Sequence, residues 1–298
     1  MVPDICPREE EFGELTQSVL KKIVEVVNGE STHSTVIFAG SGTAGVEAAL
    51  CSVVPENGKI LILDNGAYGK RAETIIQAYG ISHRTIRIEW GDFPDISQIE
   101  TVIKEEPKLT HFFFVHHETT TGMLNPLAEI LELCVKYELD SIVDAMSSYA
   151  GLPIDLQKQP IDYLISSSNK CIQGMAGVSF VIANKERLKA TSNVQPRNLY
   201  LNLWGNHSYI EQTGQFQFTP PVQIVYALDQ ALVEFFKETQ SGRTARYVRS
   251  YETLLEGIEQ TGLEMLLPES QHSKLLTAIV EPKSSEYSFK EMHDHFYE

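Results

Sequence analysis

Residues 34–44 read Ser-Thr-Val-Ile-Phe-Ala-Gly-Ser-Gly-Thr-Ala, and this stretch indicates the fold class. Its first half is a continuous apolar run, which is typical of a strand that is covered on both faces of a sheet. Its second half is a glycine turn with small hydroxyl residues, and such turns commonly precede a helix. An amphipathic pattern, Thr43–Val53, follows at once. The stretch therefore predicts a strand–turn–helix unit of an α/β protein.

The same alternation of strand and helix extends outward from this unit. Short apolar runs predict strands at Ser34–Ala39, Lys59–Asp64, His83–Ile88, His111–His116, Ser141–Val143, Tyr163–Ser166 and Val178–Ala183. Amphipathic segments predict helices at Thr43–Val53, Lys70–Tyr79, Ile96–Glu105 and Pro126–Tyr137. Strands that alternate with helices imply an α/β fold with a mostly parallel central sheet and helices on both faces.

The sequence changes in character after Val222. Two long helical patterns follow, from Gln223 to about Thr239 and from about Arg243 to Gln260. The mostly polar stretch Glu291–Glu298 predicts no closing element. We therefore predict a large α/β domain over residues 1–240 and the start of a small C-terminal domain over residues 241–298.

The composition of the chain argues against several classes of partner and site. The 298 residues carry a formal net charge of −16, which argues against a nucleic-acid or anionic-membrane partner. The four cysteines are scattered and form no CxxC pair, so neither a zinc site nor a disulfide framework is expected. No apolar run approaches the roughly 20 residues that span a bilayer, and the first residues do not resemble a signal peptide. The sequence therefore predicts a cytoplasmic protein.

Candidate functional residues follow the predicted strands, because open α/β sheets bind ligands at the carboxyl ends of their strands. The turn Gly40–Thr43 can bind an anion through backbone N–H groups at a helix start, although such turns also occur for structural reasons. Asp144 ends an apolar run, where a carboxylate can cap a helix, form a loop salt bridge or hold a protonated ring nitrogen. Lys170 lies among small hydroxyl residues, a setting that suits a lysine drawn into a crevice as a Schiff-base amine.

A fourth segment, His116–Gly122, reads His-His-Glu-Thr-Thr-Thr-Gly and follows a predicted strand. Its three threonines bring several hydroxyl groups to the active edge of the sheet. The two histidines and the glutamate do not predict a metal site, because adjacent side chains point in divergent directions. An anion-binding turn, a hydroxyl loop, a carboxylate and a lysine thus follow one another in the order found in fold type I enzymes that use pyridoxal 5′-phosphate (PLP).

Longer strings resemble motifs of the class V aminotransferases, a family of PLP enzymes, over nearly the whole chain. The matching strings are Ser-Gly-Thr-Ala-Gly-Val-Glu-Ala (41–48), Asn-Gly-Ala-Tyr-Gly-Lys-Arg (65–71), His-Glu-Thr-Thr-Thr-Gly (117–122), Val-Asp-Ala-Met-Ser-Ser-Tyr (143–149) and Ser-Ser-Asn-Lys-Cys-Ile-Gln-Gly (167–174). In detail they are most similar to members that transfer the amino group of 2-aminoethylphosphonate to pyruvate, giving phosphonoacetaldehyde and alanine. The resemblance implies a fold type I PLP-dependent transferase that works by a ping-pong mechanism.

The resemblance also implies a role for individual residues. Lys170 would carry PLP as a Schiff base and shuttle a proton, while Asp144 would hold the pyridinium nitrogen. The other implied cofactor contacts are Ser41, Gly42 and Thr43 at the phosphate, Tyr68 and Met146 on the two ring faces, Asn169 in the loop before the lysine, and Thr121 at the 3′-oxygen or the substrate. Thr219 would reach the phosphate of the neighbouring subunit's cofactor, which implies a homodimer.

The chain departs from the family pattern at its two ends. Relatives usually begin with a Pro-Gly-Pro segment, and they continue past the equivalent of Glu298 to complete a small domain. That domain supplies an arginine for the substrate carboxylate. The resemblance therefore predicts an incomplete small domain and weakened pyruvate recognition, and none of the cations Arg71, Arg197 and Arg243 matches the missing arginine.

Two alternatives to this function stay open, and a third is disfavoured. An alanine–glyoxylate or serine–pyruvate aminotransferase would keep the cofactor and change the substrate, and one sequence does not distinguish the substrate pockets. A homologue that binds PLP or a partner without turnover is also compatible with the shortened ends. A cysteine desulfurase is disfavoured, because no cysteine occurs after Cys171 to serve as the catalytic thiol.

Overall fold

Strands form the centre of the molecule in a computed structural model that describes residues 5–285 and 287–297. The strands are β1 (His33–Ala39), β2 (Lys59–Asp64), β3 (His83–Arg87), β4 (Leu109–Val115), β5 (His117–Glu118), β6 (Met123–Leu124), β7 (Asp140–Asp144), β8 (Tyr163–Ser167) and β9 (Val178–Asn184). β5 and β6 pair as a separate hairpin, and the other seven form one sheet. All seven strands predicted from the sequence are confirmed, with ends that shift by at most two residues.

The sheet has the strand order β1-β9-β8-β7-β4-β2-β3. Only β9 runs antiparallel to its neighbours, β1 and β8, and every other neighbouring pair is parallel. The predicted mostly parallel sheet is therefore confirmed. Just beyond the β1–β9 pairing, the Gly40 N–H donates to the Gly177 carbonyl at 2.9 Å. This bond joins the turn after β1 to the loop that enters β9.

The described part of the chain contains ten helices. They are α1 (Glu10–Glu25), α2 (Gly42–Val53), α3 (Ala67–Ala78), α4 (Ile96–Glu105), α5 (Leu127–Lys136), α6 (Lys185–Ala190), α7 (Leu203–Thr213), α8 (Val222–Glu238), α9 (Gln240–Thr261) and α10 (Phe289–Tyr297). The six predicted helices are confirmed as α2 to α5, α8 and α9. Among the residues described, none of the helices has both the length and the apolar composition needed to cross a membrane.

The prediction that residues 291–298 form no element is wrong up to residue 297, and Glu298 lies outside the described residues. Helix α10 occupies this stretch. Phe289, Met292 and Phe296 recur at helical spacing, but none of the residues of this helix is buried. The surrounding polar residues concealed the pattern, because a helix without a buried face shows only a weak apolar stripe.

Two hydrophobic cores lie on opposite faces of the sheet. Ile37 and Phe112 belong to the core that contains α1 and α8. Their chain neighbours Val36 and Phe113 belong to the other core, with α2 and α3. Successive side chains of a strand point to opposite faces, so both faces of these strands are buried. The predicted helices on both faces of the sheet are therefore confirmed.

The two long helices near the end of the described chain differ in burial. α8 buries an apolar stripe that includes Val225, Leu228 and Leu232. α9 is longer but buries only Arg243, Tyr251 and Ile258. The contrast falls between α8 and α9, next to the domain boundary predicted at residue 240, and that boundary itself stays a prediction.

Candidate active site

A cavity of about 500 Å³ lies where β4, β7 and β8 end, next to the start of α2. Its lining consists of Gly40, Ser41, Gly42, Thr43, Val46, Tyr68, Arg71, Val115, His117, Asp144, Met146, Ser147, Ser167, Asn169, Lys170, Ala176 and Gly177. Eight of the ten site residues predicted from the sequence are in this set, and the two that are not are Thr121 and Thr219. The parallel strands thus bring together residues that are far apart in the chain.

One end of the cavity is formed by the first turn of α2. Ser41 precedes the helix in an extended conformation, and its side chain makes no capping bond to the helix. The guanidinium of Arg71 donates to Thr43 Oγ1 at 3.3 Å. A cation therefore lies beside the positive end of the helix dipole, and both favour an anion at this end of the cavity.

Tyr68 and Met146 form walls of the cavity, and both side chains are half-buried. The Arg71 guanidinium carbon lies 5.0 Å from the centre of the Tyr68 ring, within reach of a cation–π contact. Met146 approaches the start of α2 so closely that a Cβ atom at Gly42 would lie 2.5 Å from its sulfur atom. A side chain at position 42 would therefore push the end of Met146 out of its present position.

Glu118 holds the start of α3, and with it Tyr68, against the β5–β6 hairpin. Its carboxylate is fully buried and accepts the Tyr68 N–H at 3.3 Å and the Thr120 N–H at 3.0 Å. A side chain at Gly66 would overlap the Glu118 carboxylate. Burial raises the pKa of Glu118, and the bonds from Thr120 and Tyr68 oppose that rise.

Asp144 ends β7 inside the cavity and is 4% exposed. Burial raises its pKa to about 6, and the Met146 N–H, which donates to Asp144 Oδ1 at 2.9 Å, partly opposes the rise. A carboxyl group in this setting favours a bound cation or a protonated ring nitrogen, because either one would stabilise its ionised form.

Lys170 lies in the lysine loop, which we define as residues 168–177 between β8 and β9. Two backbone bonds lie within the loop: the Gln173 N–H donates to the Lys170 carbonyl and the Gly174 N–H to the Ser168 carbonyl, both at 2.7 Å. The Ser168 hydroxyl donates to the Val178 carbonyl at 3.1 Å and also to the Met175 carbonyl. The Lys170 side chain is exposed and lines the cavity.

The three arginines Arg71, Arg197 and Arg243 lie in different places. Arg71 lines the cavity, as its contacts with Thr43 and Tyr68 show. Arg197 donates to the Cys51 carbonyl at 2.9 Å and lines a separate, much smaller depression. Arg243 is 2% exposed and forms an ion pair with Glu238 at 2.7 Å. Of these three cations, only Arg71 reaches the cavity.

His117 was not predicted as a site residue, but it lines the cavity. Its Nδ1 lies 3.4 Å from the Ser147 carbonyl, and because a carbonyl can only accept, this contact favours the tautomer with the proton on Nδ1. Burial lowers the pKa of His117 to about 4, so the ring is neutral and Nε2 is an acceptor. Nε2 is buried and has no partner among the described residues. The preceding His116 bonds to Ser148 instead, at 2.9 Å.

The other two predicted residues lie away from the cavity lining. The Thr121 side chain is buried in the turn between β5 and β6, and its hydroxyl has no partner among the described residues. Thr219 is exposed. Its neighbour Phe218 packs on Tyr200, with ring centres 5.0 Å apart, and the Tyr200 hydroxyl donates to the Ala39 carbonyl at 2.9 Å. Thr219 therefore lies near the same edge of the sheet as the cavity.

Within the described residues, no group of three or more potential ligand side chains is arranged to hold a metal ion.

Comparisons with known proteins agree with this geometry. The chain matches the class-V aminotransferase family over residues 5–287. It is 37% identical to 2-aminoethylphosphonate–pyruvate transaminase of Pseudomonas fluorescens, covering 99% of this chain and 80% of that one. It is 39% identical to the protein of the same name from Klebsiella pneumoniae, covering 97% and 79%. Among solved structures, alanine–glyoxylate aminotransferase from Nostoc is similar, with 25% identity, a TM-score of 0.89 and coverage of 96% and 76%.

Proposed function

This chain belongs to the class-V aminotransferase family, and we propose that it transfers the amino group of 2-aminoethylphosphonate to pyruvate with PLP as cofactor. The products are phosphonoacetaldehyde and L-alanine, so the reaction serves phosphonate catabolism. The observation that carries the proposal is a single cavity that joins a lysine, a buried carboxylate and an anion-binding helix start. The choice of substrates rests on the activity that the curated relatives share in their names.

The residues of the cavity fit the chemical groups of PLP. The anionic phosphate fits the α2 start, where Ser41, Gly42 and Thr43 lie beside the Arg71 cation. The aromatic ring would lie against Tyr68 and Met146, which both line the cavity. The unpartnered Nε2 of His117 is a buried acceptor that a donor in the cavity would satisfy. When bound, PLP supplies a carbonyl carbon that takes up the amino group and a ring that accepts an electron pair.

Lys170 and Asp144 would perform the two central tasks. Lys170 Nζ would hold the cofactor covalently in the resting enzyme. It would then remove the proton from the substrate carbon that bears the amino group and return a proton to the cofactor. Asp144 would keep its ionised form against the protonated ring nitrogen, because that cation offsets the cost of burying the carboxylate. Asn169, which accepts the Ser167 hydroxyl at 3.0 Å, would orient the loop that carries the lysine.

We assign Thr121 to the 3′-oxygen side of the cofactor or to the substrate. Its buried hydroxyl has no partner in the described residues, and a buried hydroxyl without a partner is costly. The β5–β6 turn that carries Thr121 also carries Thr120, which bonds to Glu118 and to the Ala67 N–H. Thr121 therefore lies on the turn that holds the start of α3, the helix that carries Tyr68.

We further propose that two copies form a homodimer in which Thr219 reaches the partner's phosphate site. Thr219 is exposed and follows Phe218, which packs on Tyr200 at the cavity edge of the sheet. Leu199, next to Tyr200, is 74% exposed, and Tyr200 is 42% exposed. Large apolar side chains that are exposed together are typical of protein interfaces.

The proposed location is the cytoplasm. All four cysteines are free thiols, although Cys6 is exposed and Cys171 is half-buried. Free and accessible thiols are compatible with a reducing compartment. Fractionation of the native host cell, with a periplasmic marker for comparison, would test this location.

The absorbance of the purified protein tests the proposed activity. Because free PLP is itself yellow, unbound cofactor is first removed. We then expect a visible Schiff-base band in the wild type and in Lys189→Ala, a change at an exposed surface lysine, but not in Lys170→Ala. Addition of 2-aminoethylphosphonate without an oxo acid should abolish the band, and pyruvate should restore it. A band that ignores 2-aminoethylphosphonate but responds to alanine or serine would indicate another aminotransferase of this family. Failure of the wild type to form a band would exclude Lys170 as the cofactor lysine.

A further inference from the structure

Arg243 is a cation enclosed within the protein, and its position is unusual. It lies in the first turn of α9, is 2% exposed and is the largest of the fully buried side chains in the described chain. An enclosed charge is costly unless it is paired and hydrogen-bonded. Arg243 Nε donates to Glu238 Oε2 at 2.7 Å, and its guanidinium carbon lies 5.1 Å from the centre of the Phe235 ring. These contacts offset part of that cost but leave other donors of the guanidinium to be satisfied.

The remaining bonds of Arg243 go to the lysine loop. Its Nη1 donates to the Cys171 carbonyl at 2.8 Å and to the Ile172 carbonyl at 3.4 Å. These are the two residues that directly follow Lys170. The next residue, Gln173, has a positive φ of 68°, a conformation that side chains other than glycine adopt at a cost. External bonds to the two preceding carbonyls help to maintain such a backbone.

We propose that Arg243 is a positioning residue, which holds the Cys171 and Ile172 carbonyls and thereby sets where the Lys170 amine enters the cavity. The proposal deepens the proposed function and rests on it, because it takes Lys170 as the cofactor lysine. Through Glu238, the last residue of α8, and Arg243, in the first turn of α9, the loop is tied to the junction of these helices. Arg243 itself lies outside the cavity lining and touches none of the proposed reacting atoms.

A neighbouring arginine supplies a matched control. Arg246 binds the same Glu238, with Nε 2.7 Å from Oε1 and Nη2 3.1 Å from Oε2. It reaches the lysine loop only through the Gln173 side chain, at 3.5 Å, and it is 41% exposed. The two arginines therefore share an ion-pair partner, whereas only Arg243 binds the backbone next to Lys170.

The first measurement is hydrogen exchange of the protein without cofactor, followed in peptides that cover the lysine loop. Arg243→Met keeps an unbranched side chain against Phe235 but removes the charge and the donors. We expect it to speed exchange in the loop by about tenfold, the change produced by losing about 1.4 kcal/mol of local stability. Arg243→Lys keeps the charge and should restore part of the protection. Arg246→Met should leave exchange in the loop near that of the wild type.

The second measurement is the rate at which the visible band forms with PLP, together with kcat and KM for 2-aminoethylphosphonate. Arg243→Met should slow band formation and lower kcat more than it changes KM, with partial rescue in Arg243→Lys. Thermal melts of each variant show whether the fold persists. If Arg243→Met does not fold, the same measurements are made on Arg243→Lys and Arg246→Lys. These two variants repeat the comparison with the positive charge retained.

The outcomes separate this inference from the proposed function. Equal effects of the Arg243 and Arg246 variants on exchange and on kcat would show that Arg243 acts only through Glu238 and would overturn the inference. Unchanged exchange in the loop of a folded Arg243→Met protein would overturn it as well. A wild type that forms no band would overturn the proposed function and the positioning role together, while the exchange data would still report whether the carbonyl contacts hold the loop.

Discussion

Asp144 shows, at the scale of one residue, how a site can reduce the stability of the protein that contains it. The carboxyl group is 4% exposed, and its backbone donor, the Met146 N–H, does not offset the cost of burial. The folded protein therefore binds a proton at Asp144 more tightly than the unfolded chain does. A cation in the cavity would reverse this balance, so Asp144 makes the empty site less stable and the occupied site more stable.

Asp144→Asn should stabilise the protein without cofactor and weaken PLP binding. The pKa of Asp144 rises from 3.8 in the unfolded chain to about 6 in the folded one. The penalty, which is the loss of folding stability caused by the ionised carboxylate, is therefore absent below about pH 4. It grows as the pH rises to about 6 and is constant above that, at about 1–3 kcal/mol. The gain in melting temperature should therefore appear in apoprotein melts near neutral pH and vanish at about pH 4.

Asp155→Asn is the control for the sign of this effect. The ammonium of Lys158 lowers the pKa of Asp155, so its loss should not stabilise the protein near neutral pH. An Asp144→Asn protein whose stability gain is the same at both pH values would contradict a raised pKa at Asp144. Unchanged affinity for PLP would remove Asp144 from the proposed site.

Single residues differ in how far the sequence could predict them. Asp144 could be placed in the site because it directly follows the apolar core of a strand, and Lys170 because it follows the next strand in a loop of small hydroxyl residues. His117 could not be placed in the site from the sequence, because the direction of its side chain depends on the break between β4 and β5. The contact of Arg243 with Cys171 spans 72 residues of chain and leaves no local signal.

At the scale of elements, a buried carboxylate helps to hold the start of α3. Glu118 accepts N–H groups from Tyr68 on the helix and from Thr120 in the hairpin turn. Each of its two oxygens accepts one of these bonds. The ring wall of the proposed cofactor site is therefore held from the hairpin as well as by its own helix.

Glu118→Gln should lower stability and also weaken PLP binding. An amide has one acceptor oxygen and one NH₂ group, so one of the two N–H donors would lose its partner. The loss of a buried partner costs about 1–3 kcal/mol. Denaturant unfolding measures the stability, and titration with PLP measures the affinity, which should fall because the start of α3, which carries Tyr68, is held by fewer bonds.

Glu73→Gln is the matched control on the same helix. Glu73 binds Arg87 at 2.6 Å and Thr85 at 2.8 Å, and it does not line the cavity. Its variant should lose stability while keeping PLP affinity. If both variants weaken PLP binding equally, the effect belongs to general destabilisation of α3 and the role assigned to Glu118 is wrong.

The elements themselves were predictable where burial made the pattern strong. β2 and α4 have the bounds expected from the sequence, because continuous apolar runs and a clear helical period specify them. Helix α1 was not predicted, although Phe12, Val19 and Ile23 recur at helical spacing and are fully buried. Helix α10 was also not predicted, and here the pattern is weak because none of the residues of the helix is buried.

At the scale of the whole molecule, the proposed homodimer makes each site depend on two chains. Lys170 would serve its own site, whereas Thr219 would serve the partner's. A defect in one residue can then be complemented by a copy that carries the other defect. This is a consequence that a monomeric enzyme does not share.

Mixed dimers of Lys170→Ala and Thr219→Ala chains should recover activity that neither variant has fully alone. In such a dimer one site combines both defects, while the other has an intact Lys170 from one chain and an intact Thr219 from its partner. Separately tagged chains, purified by both tags, should show close to half the wild-type kcat. Activity equal to the average of the two parent variants would place Thr219 in its own chain's site, or outside any site.

The position of β9 also bears on when the site comes into existence during folding. The lysine loop connects β8 and β9, which are adjacent in both chain and sheet, so its ends meet at little entropic cost and early. The anion-binding turn joins that loop only when β1, from the start of the chain, pairs with the far side of β9 and Gly40 bonds to Gly177. Such distant pairing is slow. In a folding chain the lysine loop would thus form before the anion-binding turn is in place to bind a phosphate. Binding of PLP would then show that the sheet is complete.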